Sequence, residues 1–231
     1  MKIIQITDTH LTPNKTDLYN LNPAKNLEAC VNSINKLHSD SDLCIITGDL
    51  TDNGDFETYF EIRKILNKLK MSYYPLIGNH DHRKIFSKVF PEFYKDSNDF
   101  IQKLIKIPLG HIILLDTVEE EKDCGSFCEK RGKWLKKQLE IAVNSSVYIF
   151  MHHPPFNIGI PALDKICIKK GSKIIKKLVK NYPNIKHIFF GHVHRNISGS
   201  WDGIPFSSVR GTNHQIQLSF EDDVFLNCCH E

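Results

Sequence analysis

No apolar run in this sequence is long enough to cross a membrane. The longest, 112–115 and 147–151, fall far short of the roughly 20 residues that a spanning helix requires. A secretory leader is not expected either, because the apolar stretch at 3–6 gives way at once to Thr7-Asp8-Thr9-His10. An excess of one charge is lacking as well. The 30 Lys+Arg and 27 Asp+Glu leave a formal charge of +3, too weak over this length for a dedicated nucleic-acid surface. The seven cysteines are an odd number and do not read as a disulfide framework. Neither Cys124-x-x-x-Cys128 nor Cys228-Cys229 finds a second Cys/His pair at finger spacing, so a structural zinc knot is not expected. Repeats, low-complexity segments and an obvious linker are missing too, so residues 1–231 read as one domain. The expected compartment is the cytoplasm, with reduced thiols. A hydrophobic fraction of 41% excludes disorder as the main state.

What is present alternates. Strand-like runs at 1–7, 42–47 and 72–77 are separated by helical spacing over 23–38 (Leu27, Val31, Ile34, Leu37) and 55–70 (Phe56, Phe60, Ile62, Ile65, Leu66, Leu69). Strand, helix, strand implies βαβ units and a partly parallel sheet. Further on, 99–107 and 111–116 read as strands paired around the Pro108-Leu109-Gly110 turn. A helix follows over 133–143, a strand at 146–151, a basic-faced helix over 171–181 and a buried-type strand at 185–190. Short strands and turns fill 196–220, with Asp202-Gly203 marking a hairpin. The lysines of 171–181 read as a solvated face.

The unusual element is 12 histidines and where they sit. The strand at 1–7 is followed by Asp8 and His10, the strand at 42–47 by Gly48-Asp49-Leu50-Thr51-Asp52, and the strand at 72–77 by Gly78-Asn79-His80-Asp81. The strand at 146–151 is followed by His152-His153-Pro154-Pro155, and that at 185–190 by Gly191-His192-Val193-His194. In open α/β sheets the carboxyl ends of parallel strands share one rim, where ligands bind. Asp, Asn and His offer hard oxygens and imidazole nitrogens, the donors that suit Mn, Fe, Zn and Co. Asp8, His10, Asp49, Asn79, His152, His192 and His194 are more donors than one ion needs. With Asp49 as a shared carboxylate, they divide into three private donors for each of two ions. Two-metal sites of this kind clamp the attacking and leaving oxygens of a displacement at phosphorus.

At these residues the chain resembles the calcineurin-like metallophosphoesterase superfamily. The superfamily pattern D-x-H, G-D-x-x-D, G-N-H-[DE], H and G-H-x-H occurs here in full and in order, from Asp8 to His194. The resemblance implies an α/β fold, a four-layer αββα sandwich of two mixed sheets, with a dinuclear metal site at the strand ends. It assigns Asp8, His10, Asp49 and His194 to one metal, and Asp49, Asn79, His152 and His192 to the other. The metals implied are two divalent ions per chain, Mn²⁺ or Fe first, with Zn²⁺ or Co²⁺ accepted by the same donors. His80 is not a ligand in this family and would face the phosphate, stabilising charge or protonating the leaving oxygen. Asp52 and Asp81 would support the ligands from behind.

A narrower likeness concerns G-D-L-T-D, the G-N-H-D-x-R run ending at Arg83, H-H-P-P-F at 152–156, Gly159 to Asp164 and Gly-Thr-x-His-Gln at 211–215. These look like the class III cyclic nucleotide phosphodiesterases and the related glycerophosphodiesterases. The implied reaction is hydrolysis of a small phosphodiester such as a 3′,5′-cyclic nucleotide, by in-line attack of a metal-held hydroxide. The alternatives are a glycerophosphodiesterase or phosphomonoesterase of the same superfamily and, remotely, a metal-binding scaffold without activity. A protein phosphatase is disfavoured because Asn53 stands where G-D-x-x-D-R would place arginine. Arg83 is a candidate phosphate contact or a surface arginine capping a turn, and His153 either orients His152 or touches substrate. His38, His82, His111, His187, His214 and His230 read as ordinary core or surface histidines. A homodimer is allowed by analogy. The family's second sheet usually continues beyond the 211–215 stretch, so a truncated C-terminal edge is expected.

Overall fold

The computed structural model describes residues 1–93, 95–221 and 228–229. Its first sheet is the βαβ unit that the alternation predicts. β1 (Ile3–Ile6), β2 (Leu43–Thr47) and β3 (Ser72–Leu76) run parallel, in that order. Two capped helices make the crossovers. α1 (Pro23–Leu37) has Pro at its first position and the Asn22 side chain accepting from Lys25 N at 3.0 Å. α2 (Phe56–Leu66) is capped by Asp55, which accepts from Thr58 N at 2.9 Å. Both turn an apolar stripe inward, Leu27, Val31 and Ile34 on α1 and Ile62, Ile65 and Leu66 on α2, whereas Leu37, Phe56 and Phe60 of the expected stripes are exposed.

The second sheet has six strands: β4 (Lys103–Ile107), β5 (Gly110–Leu115), β6 (Val147–Met151), β7 (Ile185–Phe190), β8 (Ile197–Trp201) and β9 (Ile204–Ser208). Their order is β4-β5-β6-β7-β9-β8. The four inner strands are parallel and the two edges antiparallel, so this sheet is mixed, whereas the smaller one is wholly parallel among the described strands. Both expected hairpins are present, Ile107 facing Gly110 and Trp201 facing Ile204. α4 (Glu129–Ile141), the short α5 (Pro161–Asp164) and α6 (Ser172–Asn181) accompany this sheet. A short β10 (Gln215–Ile216) pairs antiparallel with β11 (Cys228–Cys229). The expected truncation of the C-terminal edge concerns residues that lie otherwise outside the described ones.

Strand alternation sorts the core into three apolar layers. β2 is buried on both faces. Its Cys44 and Ile46 pack with the helices, and its Leu43 and Ile45 meet Ile105, Ile112, Leu114 and Phe150 of the larger sheet. On the far side, Ile113, Ile149 and Ile188 pack with Leu135 and Leu139 of α4 and Ile175 and Val179 of α6. This is the αββα sandwich. Each fully buried aliphatic side chain contributes roughly 1.5–3 kcal/mol. Several elements differ from expectation. β4 begins at Lys103 rather than 99, α2 ends at Leu66 rather than 70, and α5 was not expected. α4 begins at Glu129 rather than 133 and so includes Gly132, a poor helix former that sits where Ile174 packs against the backbone; a Cβ there would lie 2.7 Å from Ile174 Cγ2. α3 (Arg83–Val89) was not expected, being only two turns long with Phe86 and Val89 as its buried side.

Candidate metal centre

β1 and β2 end side by side. Asp8 N donates to Gly48 O at 3.1 Å and His10 N to Asp49 O at 2.9 Å, so the two segments stay in register beyond the sheet. Asp81 ties β3 to them. Its carboxylate accepts from Gly78 N at 2.8 Å, Leu50 N at 3.0 Å, Thr51 N at 3.2 Å and the Tyr59 hydroxyl at 2.8 Å. Burial raises the Asp81 pKa, and neighbouring Asp49 adds to that. β6 and β7 deliver their histidines to the same rim, Gly191 N donating to His152 O at 3.1 Å and His192 N to Asp8 Oδ1 at 3.1 Å. Asp8, His10, Asp49, His192 and His194 all take positive φ, between 44° and 69°. Such backbone costs on the order of 1–3 kcal/mol per residue and concentrates at functional sites. Close approach is also built in: a Cβ on Gly78 would lie 2.2 Å from Asp49 Oδ1.

The seven predicted donors converge. Ligating atoms of Asp8, His10, Asp49 and His194 lie within 4.8 Å of one another. Beside them, His152 Nε2 is 3.3 Å from Asp49 Oδ2, 3.1 Å from Asn79 Oδ1 and 3.2 Å from His192 Nδ1. Asp49 therefore touches both halves.

Hydrogen bonds set the tautomers. His152 Nδ1 donates to Thr47 O at 2.8 Å and His194 Nδ1 to His214 O at 2.9 Å. Carbonyls only accept, so both rings spend Nδ1–H on the backbone and turn Nε2, the acceptor nitrogen of the neutral ring, toward the cluster. There His194 Nε2 faces His10 Nε2 at 3.2 Å, and His152 Nε2 faces His192 Nδ1. Two ring nitrogens this close in a buried site need a proton or a cation between them. His192 Nε2 and His10 Nδ1 are buried with no hydrogen-bond partner among the described residues. Nitrogen and oxygen donors with no sulfur, aimed at one another, fit divalent metal ions.

The charges agree. Burial opposes ionisation of Asp49, yet His152 first and then His80 and His10 outweigh it and hold the carboxyl well below its usual range. Burial likewise opposes the His152 cation, but Asp49 and Asp8 push that imidazole up to about 9. His192 and His194 are kept neutral, first by burial; His152 adds to this for His192 and His10 for His194. His80 stands at the cleft mouth, with N donating to Asp49 Oδ1 at 3.0 Å and Nδ1 donating to Asp52 O at 2.9 Å. Burial again opposes its charge, and Asp49 and Asp52 raise its pKa nonetheless. Asp52 Oδ1 also lies 3.5 Å from His10 Nδ1.

Other candidates go elsewhere. Arg83 turns away from the cluster to make a bidentate pair with buried Asp116 at 2.9 and 3.0 Å, and also reaches Val118 O and Glu120. His153 is buried with both nitrogens engaged, Nδ1 2.8 Å from Thr117 Oγ1 and Nε2 3.2 Å from Asp123 O. It braces His152 and His192, whose ring centres lie 4.7 and 4.6 Å away. Conversely His214, expected to be ordinary, sits in the site, 4.4 Å from the His194 ring and 4.9 Å from that of His10. Burial and these neighbours push its pKa down to about 2. The Gly211-Thr-x-His-Gln stretch was the available signal; Thr212 N donates to Thr7 O at 2.9 Å and brings it to the rim. Above the cluster opens a cleft of about 300 Å³ whose walls include His80, Asp123, Tyr19, Ile166 and Ile216.

Residues 1–196 match the family described as calcineurin-like phosphoesterase. Among curated proteins, a probable cyclic nucleotide phosphodiesterase from Rhodopseudomonas palustris is 34% identical over all of this chain and 85% of its own length. A probable glycerophosphodiester phosphodiesterase from Arcobacter nitrofigilis is 32% identical over 96% of this chain and 82% of its own. Among solved structures, a dimetal phosphatase from Danio rerio superposes with a TM-score of 0.73 at 15% identity, covering 91% of this chain and 87% of that one.

Proposed function

The chain belongs to the calcineurin-like phosphoesterases, and from that premise we propose that it hydrolyses a small phosphodiester, a 3′,5′-cyclic nucleotide first. The observation that carries the reading is the buried cluster of converging imidazole nitrogens and carboxylate oxygens around Asp49. Asp8, His10, Asp49 and His194 would hold one divalent ion, and Asp49, Asn79, His152 and His192 a second, Mn²⁺ or Fe for preference. Such a pair supplies Lewis-acid charge at the phosphoryl oxygens and a water of lowered pKa. Thr47 O and His214 O keep two of the imidazoles in the ligating tautomer. Asp81 holds the Asp49 and Asn79 segments in register. His80 has Nδ1–H committed to Asp52 O, so its charged form would present Nε2–H to the leaving oxygen, and against the opposing effect of burial Asp49 and Asp52 favour that charged form.

The preference for cyclic nucleotides rests on the Rhodopseudomonas likeness, which spans the whole chain. The Arcobacter likeness supports a second reading, a glycerophosphodiester substrate. No described helix is long and apolar enough to cross a membrane. Five described cysteines are unpaired, which supports a reducing compartment, the cytoplasm. The test is turnover of cyclic AMP, bis(p-nitrophenyl) phosphate and p-nitrophenyl phosphate by Mn²⁺-reconstituted protein. Diester turnover that EDTA abolishes is expected; turnover of the monoester alone would overturn the reading.

A further inference from the structure

The cleft has two kinds of wall. Its floor is the donor cluster with His80, all imidazole, carboxylate and amide. Its lip includes Tyr19, Ile166 and Ile216, which come from the segment after β1, the segment after α5 and β10. Phosphate chemistry has no use for such side chains.

Tyr19 is the informative one. Leu18 and Leu21 exchange two backbone hydrogen bonds, Leu18 N to Leu21 O at 2.8 Å and Leu21 N to Leu18 O at 3.1 Å. The two residues between them, Tyr19 and Asn20, have φ of 54° and 61°. Positive φ at both central positions is the type I′ arrangement, which favours Asn and Gly. A bulky aromatic at the first of them is an outlier. Outliers of this kind persist where the surroundings hold them, and they gather at ligand sites. The turn is held from below. Asn22 Nδ2 donates to Lys15 O at 2.9 Å and to Asp17 Oδ1 at 3.0 Å, while Asn22 Oδ1 caps α1. Tyr19 remains 51% exposed, an apolar ring kept at the cleft mouth rather than in a core. Its ring meets that of His214 edge-on at 4.8 Å, and His214 in turn touches His10 and His194. Tyr19 thus stands one ring beyond the cluster, about where a group attached to the sugar of a bound nucleotide would lie.

We infer that Tyr19, with Ile166 and Ile216, forms a subsite that takes a planar heteroaromatic base by stacking and apolar contact. This makes Tyr19 a specificity-determining residue that selects nucleotide diesters over diesters of glycerol. The inference rests on the phosphodiesterase reading for its substrate, but its test need not use turnover. AMP and ribose 5-phosphate share phosphate and sugar and differ by the base. On the metal-loaded protein, calorimetry should find AMP binding about tenfold tighter, since base stacking on an aromatic ring is worth on the order of 5- to 100-fold on truncation. Tyr19→Ala should erase that difference and Tyr19→Phe should keep it. In turnover, Tyr19→Ala should lower the ratio of kcat/KM for cyclic AMP to that for glycerophosphoethanolamine by a similar factor. Equal binding of AMP and ribose 5-phosphate by the wild type, or a difference that survives Tyr19→Ala, would overturn the subsite. Absence of any diester turnover would instead overturn the reading beneath it, leaving the binding comparison intact. Tyr19 is half exposed, so loss of the fold is not expected; a melting curve superposable on the wild type checks this.

Discussion

The bodies of the strands and their carboxyl ends are built on opposite terms. In β2, Leu43 to Thr47 are buried, extended and partnered on both sides. One residue further on, the chain passes through Gly48 at φ 95° and Asp49 at φ 48°. There the side chains are polar, buried and aim their ligating atoms at one another. The body gains free energy from burial, while the rim gives some up in strained backbone and desolvated charge. His152 and His153 show the same contrast between neighbours. His152 ends its strand with Nε2 turned to the cluster, whereas His153 has both nitrogens bonded away from it. Two adjacent buried histidines are therefore separated by their partners alone.

Substitutions at the rim should fall on activity and those in the body on stability. The largest loss is expected for Asp49→Ala, which removes the carboxylate common to both halves. Diester turnover should fall by well over the roughly 10- to 100-fold typical of supporting groups, far more than the metal-free protein loses in stability when His152 and the His80 N–H lose their carboxylate partner. A variant that is both active and less stable would break the contrast. His80→Ala should cost about 10²- to 10⁴-fold in kcat with metal content unchanged; undiminished kcat would remove His80 from the chemistry.

Asp81→Ala sharpens the comparison, because Asp81 belongs to both regions. It leaves the N–H groups of Leu50, Thr51 and Gly78 without their acceptor. Activity should drop about 10- to 100-fold, and each orphaned donor should cost roughly 1–3 kcal/mol in a denaturant titration. Loss of only one of the two properties would place Asp81 wholly in one region. The smallest effect on turnover is expected for Ile45→Ala, between the sheets. It should lose about 2–5 kcal/mol of stability, roughly 5–20 °C in Tm for a chain of this length. kcat per folded molecule should stay within about twofold, and a larger fall would tie the packing of the sandwich to the chemistry.

The same division explains what could be read from the sequence. Strand bodies declare themselves by alternation, and the rim by residue types that have no place in a core, so both sheets and the convergence of the seven candidate donors were legible. Two errors at the site came from geometry beyond local pattern. Arg83 follows the Gly78 to Asp81 turn so closely that it already belongs to α3 and is aimed at Asp116. His214 reaches the cluster through long-range bonds, from Thr212 to Thr7 and from the His194 ring to the His214 carbonyl. α3 was missed because Phe86 and Val89 give too few periods to recognise. The turn that carries Tyr19 was missed because its residue types argue against the conformation it adopts.

The central claim is that the rim is a two-ion centre bridged by Asp49. Elemental analysis of Mn²⁺-reconstituted, gel-filtered protein tests it most directly, with wild type and Asp49→Ala side by side. The account predicts about two divalent ions per wild-type chain and close to none in the variant. One ion or fewer in the wild type, or two retained without the Asp49 carboxylate, would contradict it.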